Sequence, residues 1–395
     1  MRVHVIGLGG AGGRVVDRLA ADHDGDPFLH GISAFDTDME ALGSLQSIGE
    51  ERRYRFGDAA GGDGLDGDLH AGRELGEVHA SELGRALDDQ CPSLAEAFVL
   101  VLGVGGAAGG GAAPALAAEL ETLYDAPVYA IAVLPTPAES DADGEAGPGA
   151  EAGPAGGGGS GRGGDGGSTP RRPLAEKNAA RTLGALSDRT AAVFPFDTDA
   201  WLGGGETIDD ASDRLNGVLA DRIAALFGAG EGDDDAITPQ QVLDASDVAR
   251  AVGDAGETAA LGYATQEVEP PETESRFGLG LFGSSEPEKV DTSAAVSAVE
   301  TVIRKATRGK NTVEMPEGRA DRTLLVVGGP PAWLNREAIA EGRRWLAEET
   351  GSGAILSGDA PVPGGGEVFA LVVRSGIDEP DRIREIRTSI PDRAE

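Results

Sequence analysis

A single cysteine, Cys91, excludes an intramolecular disulfide and any cysteine-based metal cluster. The five histidines (His4, His23, His30, His70 and His79) fall without H-E-x-x-H or a comparable pairing, so no metal centre is expected. No apolar stretch reaches the ~18 residues of a membrane span. The first residues enter a strand and a glycine loop directly, unlike a signal peptide, which predicts a soluble cytoplasmic protein. Lysine is also nearly missing: Lys177, Lys289, Lys305 and Lys310 are the only lysines among 33 basic residues, against 68 acidic ones and a net charge of −35. Such a charge excludes nucleic acid and anionic lipid as main partners, leaving membrane contact only indirect, through other proteins. A carboxylate-rich, lysine-poor surface stays hydrated and self-repelling where salt screens charge to a few Å, and suits a high-salt cytoplasm.

Glycine, by contrast, is abundant, and it is clustered. Residues 6–14 read IGLGGAGGR after the apolar run Val3-His4-Val5-Ile6. Gly7, Gly9 and Gly12 fit G-x-G-x-x-G, and Asp36 follows 24 residues later, which alone describes an NAD site and an NAD-dependent oxidoreductase. A second cluster, GVGGAAGGGAAPALAAEL from Gly103, follows the apolar run Phe98–Leu102 and leads into a helix expected to begin near Ala112. Unpaired amide hydrogens and the positive end of a helix dipole hold phosphate there, and glycine lets the backbone approach closely. A one-loop dinucleotide site leaves this second cluster unexplained.

Runs at His30–Phe35, Phe98–Leu102 and Val128–Leu134 are short and largely apolar, as parallel strands buried on both faces are. Residues 141–169 hold 13 glycines in 29 positions and no large apolar side chain, which predicts a disordered insertion. Thr207 as N-cap, followed by Asp209 and Asp210 and then Leu215, Leu219, Ile223 and Phe227 at helical spacing, predicts a long core helix over 207–230. Beyond it, residues 231–395 read as a second α/β unit with an irregular insertion at 266–290, central strands at Leu324–Val327 and Val368–Val373, and a helix over Asn335–Glu349 with Ile339, Trp345 and Leu346 inward.

Two glycine loops after two strands, neither with the G-K-[ST] of a P-loop, resemble the tubulin/FtsZ superfamily. IGLGGAGGRVVDRL (6–19), PVYAIAVLP (127–135), FDTDAWL (196–202), FGAGEG (227–232), VLDASDV (242–248), GPPAWLNREAI (329–339) and GRRWLAEETGS (342–352) stand in that family's order and are similar to its archaeal CetZ branch. The resemblance implies a two-domain α/β fold. A Rossmann-like GTPase domain (1–206) and a second α/β domain (231–395) would be joined by the core helix.

That resemblance also implies a site. Gly10, Ala11, Gly12, Gly13 and Arg14 would cradle the phosphates of GTP from the first loop, and Gly106, Ala107, Ala108, Gly109 and Gly110 from the second. Asp36-Thr37-Asp38 matches the family's Asn-Thr-Asp turn. His70–Gly76 would cover the γ-phosphate, with Arg73 adding positive charge. Glu139 stands at the ribose-binding position, and Thr198 and Asn216 at the two guanine-contacting positions. Mg²⁺ would accompany the phosphates. Asp244 and Asp247 fall on the acidic loop that, in this family, reaches the neighbouring subunit's γ-phosphate, so hydrolysis would be completed in a head-to-tail polymer. The partners implied are further copies of the chain or tubulin-like paralogues, and the role is control of cell shape.

The chain departs from the family's pattern in several places. GGAAGGG replaces G-G-G-T-G-S-G, removing hydroxyls at Ala108 and Gly110. Ser212 replaces an aromatic that stacks on the base, Thr198 replaces Asn, and Val242 replaces the Asn of the FtsZ acid loop. These changes keep open a second reading, a non-hydrolysing scaffold or regulator of an active paralogue.

Overall fold

The largely apolar runs become strands covered on both faces; every residue of the first is buried. The structure, a computed structural model, describes residues 1–57, 61–140, 172–229, 243–253, 256–269, 290–315 and 319–389. Its strands are β1 (Val3–Leu8), β2 (Leu29–Asp36), β3 (Arg53–Arg55), β4 (Ala97–Gly103), β5 (Val128–Leu134), β6 (Ala192–Asp197), β7 (Glu257–Glu267), β8 (Arg322–Gly329), β9 (Ala354–Pro361) and β10 (Glu367–Ser375). Its helices are α1 (Gly9–His23), α2 (Met39–Gly43), α3 (Leu69–Arg85), α4 (Ala107–Leu123), α5 (Pro137–Ser140), α6 (Ala175–Ser187), α7 (Thr198–Trp201), α8 (Ile208–Phe227), α9 (Ala245–Val252), α10 (Thr292–Arg308), α11 (Arg336–Thr350) and α12 (Asp381–Thr388).

The strands form one sheet in the order β3-β2-β1-β4-β5-β6-β7-β10-β8-β9. β1 to β6 pair in parallel, whereas β10 runs antiparallel to both β7 and β8. Only the pairs Ala192–Glu257 and Val193–Thr258 link β6 to β7, so the sheet narrows where its two halves meet. The chain order reverses between β1 and β4, and open α/β sheets bind ligands beyond the strand ends at such a reversal.

Local chemistry explains α8. The Thr207 hydroxyl accepts from the Asp210 amide at 3.2 Å while the Asp210 carboxylate accepts from the Thr207 amide at 3.3 Å, closing a capping box. The buried face of α8, Leu215, Leu219, Ile223 and Phe227, joins one apolar cluster that contains Val3 and Val16 of the first half and Leu324 and Val373 of the second. α8 is therefore part of a shared core. On the other face of β1, β4 and β5, α4 and α6 bury Leu116, Leu120, Leu183 and Leu186. α10 and α11 cover β8 and β10 through Val299, Ile303 and Leu346.

Three expectations change. α4 begins at Ala107, five residues before Ala112, because small residues let its first turn wind tightly against its neighbours. Gln266 and Glu267 are not part of an irregular insertion; they end β7, paired with Val368 and Glu367. Residues 270–289 of that insertion lie outside the described residues, as do Val242 and the whole of 141–169. Trp345 packs inward against the cluster of Val299, Ile303 and Leu346 as expected, half-buried, with Arg304 and Arg308 over its ring at 5.7 and 5.2 Å. Finally, α12 leaves the second half and packs on α6, with Ile383 and Ile386 buried in the cluster of Ala179, Leu183 and Val193.

Candidate functional site

β1 and β4 are neighbours, so the helices that follow them start side by side. Neither helix has a side-chain cap: Leu8 precedes α1 and Gly106 precedes α4. Gly9 turns at φ +71°, and a Cβ on Gly109 would sit 2.4 Å from the Leu8 carbonyl oxygen. The two first turns therefore abut. Two sets of unpaired amides and two dipole ends converge on one place, which is the arrangement an anion requires. Pro114 inside α4 withdraws the amide that would pair with the Gly110 carbonyl; the Thr182 hydroxyl donates to that oxygen at 3.4 Å instead.

Beyond the helix starts lies a cavity of about 790 Å³, within the size range of small-molecule sites. Gly10, Ala11 and Arg14 line it from α1, and Gly106, Ala107, Ala108 and Gly109 from the start of α4. Glu139, Thr198 and Asn216 line it too, so ten of the expected nucleotide-contacting residues meet in one hollow. Three do not face it. A Cβ on Gly12 would lie 2.0 Å from the Val101 carbonyl oxygen, Gly13 faces Leu45, and a Cβ on Gly110 would lie 2.7 Å from the Thr182 hydroxyl. Their smallness serves helix packing. Asp244 and Asp247 are also outside this cavity. They form the capping box of α9, where the Asp244 carboxylate accepts from the Asp247 amide at 2.8 Å, and Arg250 pairs with Asp247 at 3.0 Å.

The cavity is polar at one side and apolar at the other. Asp36, 4% exposed, accepts from the amides of Thr37 at 2.7 Å and Asp38 at 3.3 Å. Burial raises its pKa to about 6 against those hydrogen bonds and the Arg14 charge. Burial likewise lowers the pKa of Arg14, the Arg172 charge adding to that and Asp209, Asp36 and Glu139 opposing it. Glu139 is fixed by the Thr136 amide at 2.8 Å and faces Arg172 at 3.8 Å. At the other side Phe196, Ile208, Leu215 and Leu219 lie around Asn216 and Ser212. Two buried hydroxyls in the wall, those of Thr37 and Thr198, have no hydrogen-bond partner among the described residues. Buried polar groups are nearly always paired, so these two fit a ligand rich in acceptors.

The sequence reading misplaced one wall. His70–Gly76 does not line the cavity; it is the first part of α3, pressed on α4 so closely that a Cβ on Gly72 would lie 2.1 Å from the Ala107 carbonyl oxygen. Arg73 donates to the Arg181 carbonyl at 3.1 Å. The wall consists instead of Asp63, Gly64, Leu65, Asp66 and Gly67, a loop held by the Asn178 amide donating to the Gly67 carbonyl at 2.9 Å. Asp66 at φ +46° lies in a turn, and the run Asp63-Gly64-Leu65-Asp66-Gly67 is the local signal by which this stretch could be found in the sequence.

This fold and this position of the cavity define a tubulin/FtsZ-type protein. Residues 2–145 match the GTPase domain of the Tubulin/FtsZ family, and residues 205–391 match the C-terminal domain of tubulin-like CetZ. The tubulin-like protein CetZ5 of Haloferax volcanii is 33% identical over 394 residues, covering 98% of this chain and 91% of the relative. Two solved structures from the same organism align over 98% of this chain at 27% identity. The GDP-bound CetZ1 monomer has a TM-score of 0.77 with 98% of its own chain covered, and the GTPγS-bound CetZ2 protofilament has 0.74 with 97% covered. The chain belongs to the CetZ family of tubulin-like proteins.

Proposed function

We propose that this protein binds GTP in the cavity between α1, α4 and α8 and assembles head to tail into a protofilament as a cytoskeletal element. The observation that carries this reading is the pair of uncapped helix starts abutting at Gly9 and Gly109 over a cavity that also holds Asn216. The amides of Gly10, Ala11, Ala107, Ala108 and Gly109 would take the phosphates, Glu139 a ribose hydroxyl, and Asn216 and Thr198 the purine edge, where an amide offers both donor and acceptor. The unpaired Thr37 and Thr198 hydroxyls support the fit. The relatives solved with GDP, and with GTPγS as a protofilament, point the same way. Mg²⁺, where present, would be carried largely by phosphate oxygens and water, as it is in phosphate sites generally.

Asp244 and Asp247 would be presented to the next subunit's nucleotide from α9, completing hydrolysis there. One observation favours the non-hydrolysing scaffold as a second reading. The first turn of α4 presents Ala107, Ala108 and Gly109 to the cavity and no hydroxyl, so from that side the phosphates would be held by amides alone. Shape control, paralogue partners and a cytoplasmic place follow as parts of the same proposal; no helix among the described residues is long and apolar enough to cross a membrane.

Incubation with GTP, ATP or NAD in molar KCl, read as thermal shift, tests the proposal. A shift with GTP well above those with ATP and NAD is expected. Equal shifts, or a larger one with NAD, overturn it.

A further inference from the structure

The last helix crosses back to the first half and ends beneath the cavity. α12 follows β10 through residues 376–380, and its Arg382 side chain is only 10% exposed. One Arg382 nitrogen donates to the Pro135 carbonyl at 2.9 Å and to the Glu176 carboxylate at 2.7 Å. A second reaches Glu385 at 3.3 Å, within α12 itself, and the third, the buried Nε, has no partner among the described residues. Its charge also acts on Asp197, which N-caps α7. Both contacts outside α12 lie at, or one residue from, a residue of the cavity wall: Pro135 itself, and Ala175 beside Glu176. Two segments, one leaving β5 and one opening α6, thus share one buried guanidinium supplied by the far end of the chain.

We propose that α12 is an intramolecular strap and Arg382 a positioning residue for the cavity, setting nucleotide affinity without touching the nucleotide. A buried guanidinium donating to a carbonyl and a carboxylate is a strong, directional link. Side chains of a site hold their geometry only when such supports lock them. The Pro135 end leads directly to Thr136 and Glu139, and the Glu176 end lies in the first turn of α6, ahead of Asn178, which fastens the 63–67 loop. Because α12 continues from β10, a shift of the second half would pull on the same link.

This inference rests on the nucleotide reading, and two readouts separate their failures. The substitutions are Arg382→Met, which keeps the apolar stem, Arg382→Lys, and Glu176→Gln as a milder break from the other side. In molar KCl, Kd for a fluorescent GTP analogue should rise about tenfold in Arg382→Met and less in Arg382→Lys and Glu176→Gln. Amide exchange in the apo protein should quicken at 135–140 and 174–178 in all three, whether or not nucleotide binds. Lost thermal stability with unchanged Kd and unchanged exchange at those residues overturns the strap. Wild-type protein that binds no GTP, with exchange still quickened by the substitutions, overturns the nucleotide reading and leaves the strap standing.

Discussion

Asp36 is a carboxylate placed where phosphates are expected. Its pKa of about 6 lies above the 3.8 of an unfolded aspartate, so the folded chain holds this proton more tightly. Stability is therefore lost as pH rises from about 4 to about 6, on the order of 3 kcal/mol for a shift of this size. The charge also opposes an incoming phosphate. Asp36→Asn should stabilise the fold in full at pH 8 and by about half as much at pH 5, read as melting temperature. It should also tighten GTP binding at pH 8 more than at pH 5. Calorimetry and titration at the two pH values check both; a variant that binds GTP more weakly at pH 8 shows that the carboxylate takes part in binding. His4 shows the opposite sign: burial holds its pKa at about 3, so the imidazole stays neutral inside β1 at neutral pH.

At the scale of an element, α4 shows how two equivalent-looking departures differ. Ala108 faces the cavity, whereas the Cβ direction of Gly110 points at Thr182. Ala108→Ser should therefore add a donor to the phosphates and tighten GTP binding about tenfold, the value of a hydrogen bond to a charged group. Gly110→Ser should give no gain in affinity and lower the melting temperature, because its Cβ would lie 2.7 Å from the Thr182 hydroxyl and 3.2 Å from the Val104 carbonyl oxygen. Binding titrations and melting curves of the pair decide it. Equal gains from both would mean that the first turn of α4 is wound differently when nucleotide is present.

Across the whole molecule, the net charge of −35 should make compaction and assembly depend on screening. Melting temperature and light scattering should rise between about 0.2 M and about 3 M KCl, where a flat or falling curve would contradict the high-salt reading. If hydrolysis needs a second subunit, turnover per molecule should climb with protein concentration. Asp247→Asn, which keeps the acceptor for the Asp244 amide in the α9 cap, should abolish turnover yet spare GTP binding. Its complement is Gly10→Asp: Gly10 lines the cavity and has room for a Cβ, whereas a side chain at Gly12 would collide with Val101. Mixing the two variants should restore part of the turnover. Turnover independent of concentration would place the complete site within one chain.

Much of this arrangement follows from local sequence. The apolar runs of β1, β4 and β5, the Thr207 cap of α8 and the two glycine clusters after β1 and β4 are set by propensity, periodicity and capping, which act over a few residues. Tertiary packing alone decided what each small residue is for. Gly10 meets the cavity with room to spare, Gly109 lines it while admitting the Leu8 carbonyl, and Gly12, Gly72 and Gly110 admit a neighbouring backbone or side chain. In the sequence they are alike, because the direction in which a missing Cβ would point has meaning only once the neighbour is in place. Arg222 stands seven residues after Leu215 on the apolar stripe of α8, and only packing supplies what a charge needs there: it is 3% exposed between Trp201 and Tyr263, at 4.8 and 5.4 Å. Likewise for Arg382, whose partners lie 206 and 247 residues away along the chain. A charge among charges carries no local sign of burial; only the return of α12 across the sheet gives it partners.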